Sequence, residues 1–280
     1  MLATLEAVGA GRRRDWNRAF DFLALAAERG SAHAKGQLRL LARMSDLSDQ
    51  VADEDWRLAR ASIDIGALLQ APAPVPLAER PRLRVFHGFA RADECRWLME
   101  RLRPRLQPAG IWDEVTGKGV VDDYRSNSAA EVPVQDMDVV IALVRARISE
   151  ATRLPEFIFE IPQLMHYAVG EEFKPHHDFL DPAKPGFALD YARRGQRMGT
   201  FLLFLNDDFE GGETEFPQAG ISFRGKTGDA IFFANVTRDG QPDPLTLHAG
   251  RPPTRGEKWI LSQWIRERPP AEAVAAPSTG

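Results

Sequence analysis

A short run of metal-binding residue types lies past the middle of the chain. His176, His177 and Asp178 are consecutive, and His248 follows 70 residues after Asp178. Side chains alternate between the two faces of an extended strand, so His176 and Asp178 should point the same way and His177 away from them. Two imidazoles and one carboxylate form the facial triad that holds Fe(II) and leaves its opposite positions open. The spacing therefore predicts an iron site made by His176, Asp178 and His248.

Lys258 is the next residue with a predicted chemical role. It is separated from His248 by a stretch rich in Gly and Pro, Gly250 to Gly256, which is typical of a turn between two strands. We expect a hairpin there to return the chain towards the metal. The Lys258 ammonium could then hold the far carboxylate of a dicarboxylic co-substrate in a charge-assisted pair.

Four motifs occur in order around these residues. They are Y-x-x-G-x-x-F-x-x-H-x-D from Tyr167, L-F-L-N-D from Leu203, G-G-E-T-x-F from Gly211, and H-x-G-x-P-x-x-x-G-x-K-W from His248. A single short motif arises often by chance, whereas this ordered set is far more specific. On these motifs, the chain from about Arg82 to Arg268 resembles the prolyl 4-hydroxylase family of Fe(II)/2-oxoglutarate dioxygenases, in its bacterial soluble form.

The resemblance implies roles for individual residues. His176, Asp178 and His248 would bind iron. Lys258 would grip the C5 carboxylate of 2-oxoglutarate, and Tyr167 occupies the position whose hydroxyl helps to hold that carboxylate in the family. Because halogenating relatives lack the carboxylate ligand, an acidic residue at position 178 favours hydroxylation.

Two further matches concern substrate binding. Arg125 falls where the family has an R-T/S-S element near the substrate groove, and Trp264 lies on the last predicted core strand. Both also have structural interpretations, since an Arg is most often a solvated charge and a Trp in a strand most often packs in the core. Their assignment as substrate contacts rests on the family resemblance.

The activity implied by the resemblance is hydroxylation of a prolyl residue in a peptide or protein. Fe(II), 2-oxoglutarate and O2 are the implied cofactors and co-substrates, succinate and CO2 the released products, and ascorbate a candidate further cofactor. Two alternatives remain open: hydroxylation of a small molecule such as a free amino acid, and a non-catalytic binding module. Turnover of 2-oxoglutarate would exclude the binding module, and only substrate screening separates the two hydroxylases.

The predicted fold class is α+β. The resemblance implies a double-stranded β-helix, the jelly roll of cupins, with buttressing helices across residues 81–268. Before it we expect a small helical segment at residues 1–50 and a Pro-rich linker at 51–80, and after it a disordered tail at 269–280. A helix is predicted from Asp136 to Thr152, and lid-like loops at Asp113 to Asp123 and Asp181 to Gln196.

The N-terminal segment has apolar residues at helical intervals, with Asp15 as predicted N-cap and Gly30 as the stop. Ser31 then opens a second helix. The run A-A-x-x-G-x-x-x-A-x-x-x-L from Ala26 to Leu38 resembles a Sel1-like repeat. Since repeat arrays need about three units to bury a core, we favour a packing brace over a platform for a protein substrate.

Whole-chain properties exclude several classes of partner. The formal net charge of −4 leaves no electrostatic footprint for nucleic acid. The longest apolar runs are too short to span a bilayer, and the first residues lack the layout of a signal peptide. The single cysteine, Cys95, fits a reducing compartment and is expected to be buried. We therefore expect a cytoplasmic protein that binds neither membrane nor nucleic acid, with a homodimer as a candidate assembly.

Overall fold

The computed structural model describes residues 1–43, 55–112, 119–120 and 124–270. These form two compact units, one made of Met1–Ala71 with Pro133–Glu150 and the other of Pro72–Val132 with Ala151–Gly280. The α-helices in chain order are α1 (Leu2–Val8), α2 (Trp16–Glu28), α3 (Ala32–Leu41), α4 (Trp56–Ala61), α5 (Ile65–Leu69), α6 (Ala92–Leu102), α7 (Val139–Thr152) and α8 (Pro185–Arg194). None of the described helices is long and apolar enough to cross a membrane.

The first unit is helical, and its helices begin at the residues that the sequence indicates. Asp15 accepts a hydrogen bond from the backbone N–H of Arg18, and Ser31 accepts one from that of Ala34. Such caps satisfy backbone donors that have no partner within the helix. Helix α2 packs against α1, α3 and α4. The predicted helix pair is confirmed, while its relation to Sel1-like repeats stays a prediction.

Helix α7 groups with these N-terminal helices and not with the predicted 81–268 domain. Its first backbone N–H, at Val139, donates to Gln37 Oε1 at 2.9 Å. Arg147 Nε donates to the carbonyl of Leu68 at 2.8 Å. The local sequence pattern predicts this helix, but it carries no information about hydrogen bonds to residues far away in the chain.

The second unit is built on antiparallel sheets. Its strands are β1 (Val75–Ala78), β2 (Leu83–Phe86), β3 (Gln107–Pro108), β4 (Ile111–Trp112), β5 (Gly119–Val120), β6 (Ser128–Glu131), β7 (Gln163–Tyr167), β8 (Phe173–His176), β9 (Arg197–Phe204), β10 (Glu210–Gly211), β11 (Thr214–Phe216), β12 (Ile221–Phe223), β13 (Ala230–Ala234), β14 (His248–Gly250), β15 (Pro253–Arg255) and β16 (Lys258–Arg266). An eight-stranded sheet has the order β1-β2-β13-β9-β16-β7-β6-β3, and a four-stranded sheet has the order β12-β11-β14-β8.

The two larger sheets share one apolar core, as expected for a double-stranded β-helix. Phe216 of β11 lies 5.2 Å, ring to ring, from Phe233 of β13 in an edge-to-face pair. His248 of β14 lies 4.7 Å from the same Phe233 ring. The four-stranded sheet therefore faces the eight-stranded one across a space lined by aromatic rings, and the metal-ligand candidates lie at this core.

The predicted linker at 51–80 is largely structured where the structure describes it. Helices α4 and α5 occupy part of it, each capped by an aspartate, Asp55 and Asp64. Strand β1 then forms the edge of the eight-stranded sheet. Its Pro76 is tolerated because a proline on an edge strand leaves no ladder hydrogen bond unmade. This segment therefore contains two helices and an edge strand, whereas the sequence predicts a linker.

Of the two predicted lid-like loops, one contains a helix and the other lies mostly outside the described residues. The stretch from Asp181 to Gln196 is not a loop, since it contains α8, which begins at Pro185, a favoured first residue of a helix. The predicted loop from Asp113 to Asp123 lies outside the described residues except for Gly119–Val120. Residues 271–280 of the predicted tail are likewise outside them. Cys95 is fully buried in α6, as expected.

Candidate metal centre

The two candidate histidine ligands face each other across a pair of strands. Strands β8 and β14 are antiparallel, and their register places His176 directly opposite His248. The two imidazole rings lie 4.3 Å apart, centroid to centroid. Asp178 lies in a bend just after β8, which ends at His176, so the predicted single strand supplies only one ligand. The bend nevertheless brings the carboxylate to the same side as the imidazoles.

Three ligand atoms, one from each of these residues, lie within 4.8 Å of one another. His176 Nε2 lies 3.7 Å from Asp178 Oδ1, and His248 Nε2 lies 3.6 Å from Asp178 Oδ2. Asp178 and His248 are buried. His177 is turned away, with its Nε2 3.1 Å from the carbonyl of Pro244. The structure thus brings together the three residues that were predicted as ligands and leaves His177 outside the cluster.

Both histidines are oriented by backbone carbonyls. His176 Nδ1 lies 2.9 Å from the carbonyl of Lys174, and His248 Nδ1 lies 2.9 Å from that of Thr246. A carbonyl only accepts, so each Nδ1 carries the proton and each Nε2 keeps a lone pair. Such partners fix the tautomer and ring orientation of metal-binding histidines. The Phe173 ring, stacked on His176 at 3.5 Å, holds that imidazole further in place.

The Asp178 carboxylate is held by two polar residues that the sequence did not single out. The Thr200 hydroxyl donates to Asp178 Oδ2 at 2.6 Å, and Asn235 Nδ2 donates to Thr200 Oγ1 at 3.0 Å. Because the amide donates to the Thr200 oxygen, the hydroxyl proton is directed to the carboxylate. These two hydrogen bonds hold Asp178 Oδ2 in place and so set the direction in which Oδ1 points.

The protonation states at the cluster suit a metal site. Burial, and then the proximity of His248, lowers the pKa of His176 to about 3, and burial also lowers the pKa of His248. Burial acts to raise the pKa of Asp178, but the imidazoles, Arg197 and the Thr200 hydroxyl lower it overall. Neutral imidazoles and an ionised carboxylate are the forms that bind a divalent metal.

Thr200→Val should weaken Fe(II) binding by about 10- to 100-fold, the usual cost of losing a hydrogen-bond partner of a metal ligand. Valine keeps the volume and branching but cannot donate to Asp178. The measurement is a metal titration of the apo protein. Thr200→Ser, which keeps the hydroxyl, is the control and should bind Fe(II) nearly as well as the wild type. Equal affinity in the Val and Ser variants would show that Thr200 does not orient the ligand.

Lys258 reaches the cluster by a different route from the predicted hairpin. Strand β14 belongs to the four-stranded sheet, whereas Lys258 begins β16 in the eight-stranded sheet. There it pairs with Tyr167 of β7. The chain therefore crosses between the facing sheets, and Lys258 lines the same pocket as the triad from the opposite wall.

The Lys258 ammonium is buried without a hydrogen-bonding partner in the described part of the chain. Its side chain is 1% exposed, and its Nζ makes no hydrogen bond with any described residue. Burial lowers the pKa of Lys258 to about 7, with a weaker opposing effect from Glu213. A Cβ at Gly212, whose φ is +69°, would stand 3.4 Å from Lys258 Cδ and only 2.8 Å from the Phe209 ring. An unpaired buried ammonium calls for an anionic ligand, so the pocket fits a co-substrate carboxylate.

Tyr167 lies beside this ammonium. Lys258 Nζ is 5.0 Å from the centre of the Tyr167 ring, and the Tyr167 hydroxyl points to Met165 Sδ at 3.8 Å. Burial raises the pKa of Tyr167 to about 12, so the hydroxyl keeps its proton and can donate. A side chain at Gly250 would come within 3.1 Å of the hydroxyl oxygen, so glycine leaves that space to the tyrosine.

Of the two predicted substrate residues, Trp264 lines the pocket and Arg125 does not. Trp264 lines the pocket, and its Nε1 is buried without a hydrogen-bonding partner among the described residues. The Arg197 guanidinium covers its ring at 4.3 Å. Arg125 is buried outside the pocket lining, donates to Asn127 Oδ1 at 3.0 Å, and lies 4.7 Å from the centre of the Phe173 ring. Arg125 therefore supports the aromatic ring that packs on His176.

Several pocket residues carry no recognisable sequence signal. Besides the predicted residues, the lining comprises Met165, Phe173, Leu202, Thr214, Gly250 and Ser262. Their inward direction follows from strand alternation, but which face is inward is known only once the register is known. Phe173, Thr214 and Gly250 belong to motifs that the sequence singled out, whereas Met165, Leu202 and Ser262 belong to none.

Comparison with protein families agrees with this geometry. The model of the 2OG-Fe(II) oxygenase superfamily matches residues 162–266, which include the triad and Lys258. Prolyl 4-hydroxylase 1 of Arabidopsis thaliana is 34% identical over 239 residues, covering 80% of each chain. Prolyl 4-hydroxylase subunit alpha-1 of Rattus norvegicus is 33% identical over 190 residues, covering 68% of this chain and 35% of that protein.

A solved structure is similar as well. The viral collagen prolyl hydroxylase of Paramecium Bursaria Chlorella virus-1, in its complex with 2-oxoglutarate, superimposes with a TM-score of 0.50 and 26% sequence identity. The superposition covers 66% of this chain and 95% of the viral one. The shared part therefore amounts to nearly the whole of the viral enzyme.

Proposed function

Since this chain belongs to the prolyl 4-hydroxylase family of 2OG-Fe(II) oxygenases, we propose that it hydroxylates a prolyl residue in a peptide or protein. Its cofactor is Fe(II), and its co-substrates are 2-oxoglutarate and O2. The reaction consumes one 2-oxoglutarate and one O2 for each C–H bond converted to C–OH, and releases succinate and CO2. Both oxygen atoms are accounted for, one in the alcohol and one in succinate.

The observation that carries this proposal is the pairing of two incomplete sites in one pocket. On one wall, three ligand atoms lie within 4.8 Å of one another. On the opposite wall, the buried Lys258 ammonium has no partner within the described part of the chain. A dicarboxylate that chelates a metal through one end and pairs with an ammonium at the other satisfies both.

In the proposed mechanism, the metal ligands, Lys258 with Tyr167, and the apolar lining of the pocket have separate roles. Bound Fe(II) with 2-oxoglutarate supplies the oxidising chemistry that activates O2. His176, Asp178 and His248 would hold the metal through three protein ligands, and a facial triad of this composition would leave positions for 2-oxoglutarate and O2. Lys258, with Tyr167 beside it, fixes the distal carboxylate, and the apolar lining, such as Leu202, limits the access of water. No side chain is required as a general base.

We further propose Trp264 as a contact for the substrate. Its ring lines the pocket, its N–H lacks a partner among the described residues, and Arg197 fixes it from one face. Arg197 is itself held by two hydrogen bonds to Glu160, at 2.7 and 3.1 Å. Arg125, also expected at the substrate groove, would act on the substrate through Phe173, beneath which it is buried.

An anaerobic mixture of the protein, Fe(II) and 2-oxoglutarate should develop a visible metal-to-ligand charge-transfer band. His176→Ala should abolish the band because it removes a ligand. The matched control is His177→Ala, which removes the neighbouring imidazole that points away, and this variant should keep the band. Absence of the band in the wild type, or its survival in His176→Ala, would contradict the proposed metal site.

The substrate is tested with proline-containing peptides and free proline. We expect a peptide to gain one oxygen atom by mass, in step with succinate release, while a matched peptide with alanine in place of proline gains none. Hydroxylation of free proline but of no peptide would instead support the small-molecule hydroxylase. If 2-oxoglutarate is not turned over at all, the binding-module interpretation returns.

The remaining proposals concern conditions and context. We propose that ascorbate sustains turnover, tested by repeating the succinate assay with and without it. The single cysteine, buried in α6, supports a reducing, cytoplasmic setting. For the N-terminal helical segment we keep the packing brace, and for assembly the homodimer, which a measurement of mass in solution tests.

A further inference from the structure

A second polar group in the pocket has no hydrogen-bonding partner among the residues that the structure describes. Ser262 is 1% exposed, and its Oγ makes no hydrogen bond with any residue that the structure describes. It lines the pocket that contains the triad, Lys258 and Tyr167. Leaving a buried hydroxyl unpaired costs free energy, so such a group needs an explanation. A ligand that accepts a hydrogen bond would provide one.

The position of Ser262 along β16 indicates which part of a ligand it meets. It lies four residues after Lys258, hence on the same face and roughly 13 Å along the strand. Trp264, two residues further, pairs in register with Thr200, whose hydroxyl holds Asp178. Ser262 itself pairs with Leu202, and along β16 it is two residues nearer to Lys258 than Trp264 is. Ser262 therefore lies between the ammonium and the level of the metal-binding carboxylate.

The chemistry of the co-substrate matches this order. Its distal carboxylate belongs with Lys258, and its other end carries a carboxylate and a keto oxygen, both acceptors. A hydroxyl between the ammonium and the metal ligands is placed to donate to that end. Trp264 also has an N–H donor without a partner among the described residues, but it lies further from Lys258 and under Arg197.

We propose that Ser262 is a positioning residue that donates a hydrogen bond to the metal-chelating end of bound 2-oxoglutarate. The assignment rests on the proposed function and deepens it, because it names a determinant of how the co-substrate is seated. Lys258 then selects the length and charge of the co-substrate, while Ser262 sets the orientation of its chelating oxygens.

The test compares Ser262→Val with Ser262→Thr, two β-branched residues of equal size of which only threonine keeps the hydroxyl. Two probes are titrated anaerobically into each Fe(II)-loaded variant and followed by the charge-transfer band: 2-oxoglutarate, and 2-oxopentanoate, which has the same chelating end but no distal carboxylate. Ser262→Val should bind both probes about tenfold or more weakly than Ser262→Thr, and its band should shift in wavelength.

Two controls separate this role from a structural one. Lys258→Met should weaken binding of 2-oxoglutarate while leaving that of 2-oxopentanoate largely intact. In the apo protein, Ser262→Val should unfold at no lower temperature than Ser262→Thr, because no hydrogen bond within the protein is lost. A purely structural hydroxyl would give the opposite order of stability.

The outcomes that overturn the assignment are distinct from those that overturn the function. Equal affinities of the Val and Thr variants for both probes would refute a role for the hydroxyl. Weaker binding of 2-oxoglutarate alone would place the hydroxyl at the distal carboxylate and also refute the assignment. A wild type that forms no band with either 2-oxo acid would refute the proposed function itself.

Discussion

Replacing Asp178 with alanine is expected to weaken Fe(II) binding by at least about 100-fold and to abolish 2-oxoglutarate turnover. Loss of a mere hydrogen-bond partner of a ligand already costs about 10- to 100-fold, so loss of the ligand itself should cost more. Asp178 is also the one anionic member of the triad, and its carboxylate lies within 3.7 Å of both imidazole Nε2 atoms. The measurements are a metal titration and an assay of succinate release.

The controls for Asp178 address charge and folding. Asp178→Asn keeps the shape but removes the charge, so it should fall between the wild type and Asp178→Ala in Fe(II) affinity. Asp181→Ala removes a carboxylate three residues away that accepts from the backbone N–H of Ala183 and is outside the triad, and it should bind Fe(II) normally. Wild-type affinity in a folded Asp178→Ala variant would show that the metal is held elsewhere.

The residues of this site were predictable because their chemistry restricts the residue type. An iron triad needs imidazoles and a carboxylate, and a buried dicarboxylate needs a cation, so His176, Asp178, His248 and Lys258 stand out by type and spacing. Thr200 and Ser262 do not. Hydroxyl residues occur throughout strands, and only the pairing of β9 with β16 places Thr200 opposite Trp264 and Ser262 opposite Leu202, two residues that line the pocket.

The path of the chain was harder to predict than the elements. The stretch from His248 to Lys258 has the composition of a hairpin, yet its two ends lie in facing sheets. Local turn signals report where a chain changes direction and not which strand it joins next. The same limit applies to α7, whose helical pattern was clear while its hydrogen bonds to Gln37 and Leu68 were not.

Proline content misled in two places. The Pro-rich stretch after Ala71 predicts a linker, although Val75–Ala78 forms an edge strand. Proline excludes a residue from central strands but is compatible with an edge, so composition alone cannot separate the two cases. Pro185 favours a loop by residue type, whereas at the first turn of a helix, where the structure has it, its missing N–H costs nothing.

Lys258→Met is expected to raise the dissociation constant of 2-oxoglutarate by about 30- to 4000-fold. Removing one partner of a buried charge pair costs about 2–5 kcal/mol, and each 1.4 kcal/mol corresponds to a factor of ten. Anaerobic titration measures the effect through the charge-transfer band. The same substitution at the exposed Lys226, which lies outside the pocket lining, is the matched control and should leave the dissociation constant unchanged.

The same variant should alter how the stability of the apo protein depends on pH. The pKa of Lys258 is lowered to about 7 in the folded protein, whereas in the unfolded chain it lies near 10.5. Between these values the unfolded chain binds one more proton, so the free energy of unfolding of the wild type should rise with pH, by an amount on the order of 4 kcal/mol. Below pH 7 the penalty of the buried ammonium is present in full.

Lys258→Met should remove this rise and be the more stable protein at neutral pH, although it binds 2-oxoglutarate poorly. Denaturant unfolding of both proteins between pH 7 and 10 measures the difference, and parallel pH profiles would show that the ammonium is not buried unpaired. Opposite effects on stability and on binding are what distinguish a residue kept for its ligand from one kept for the fold.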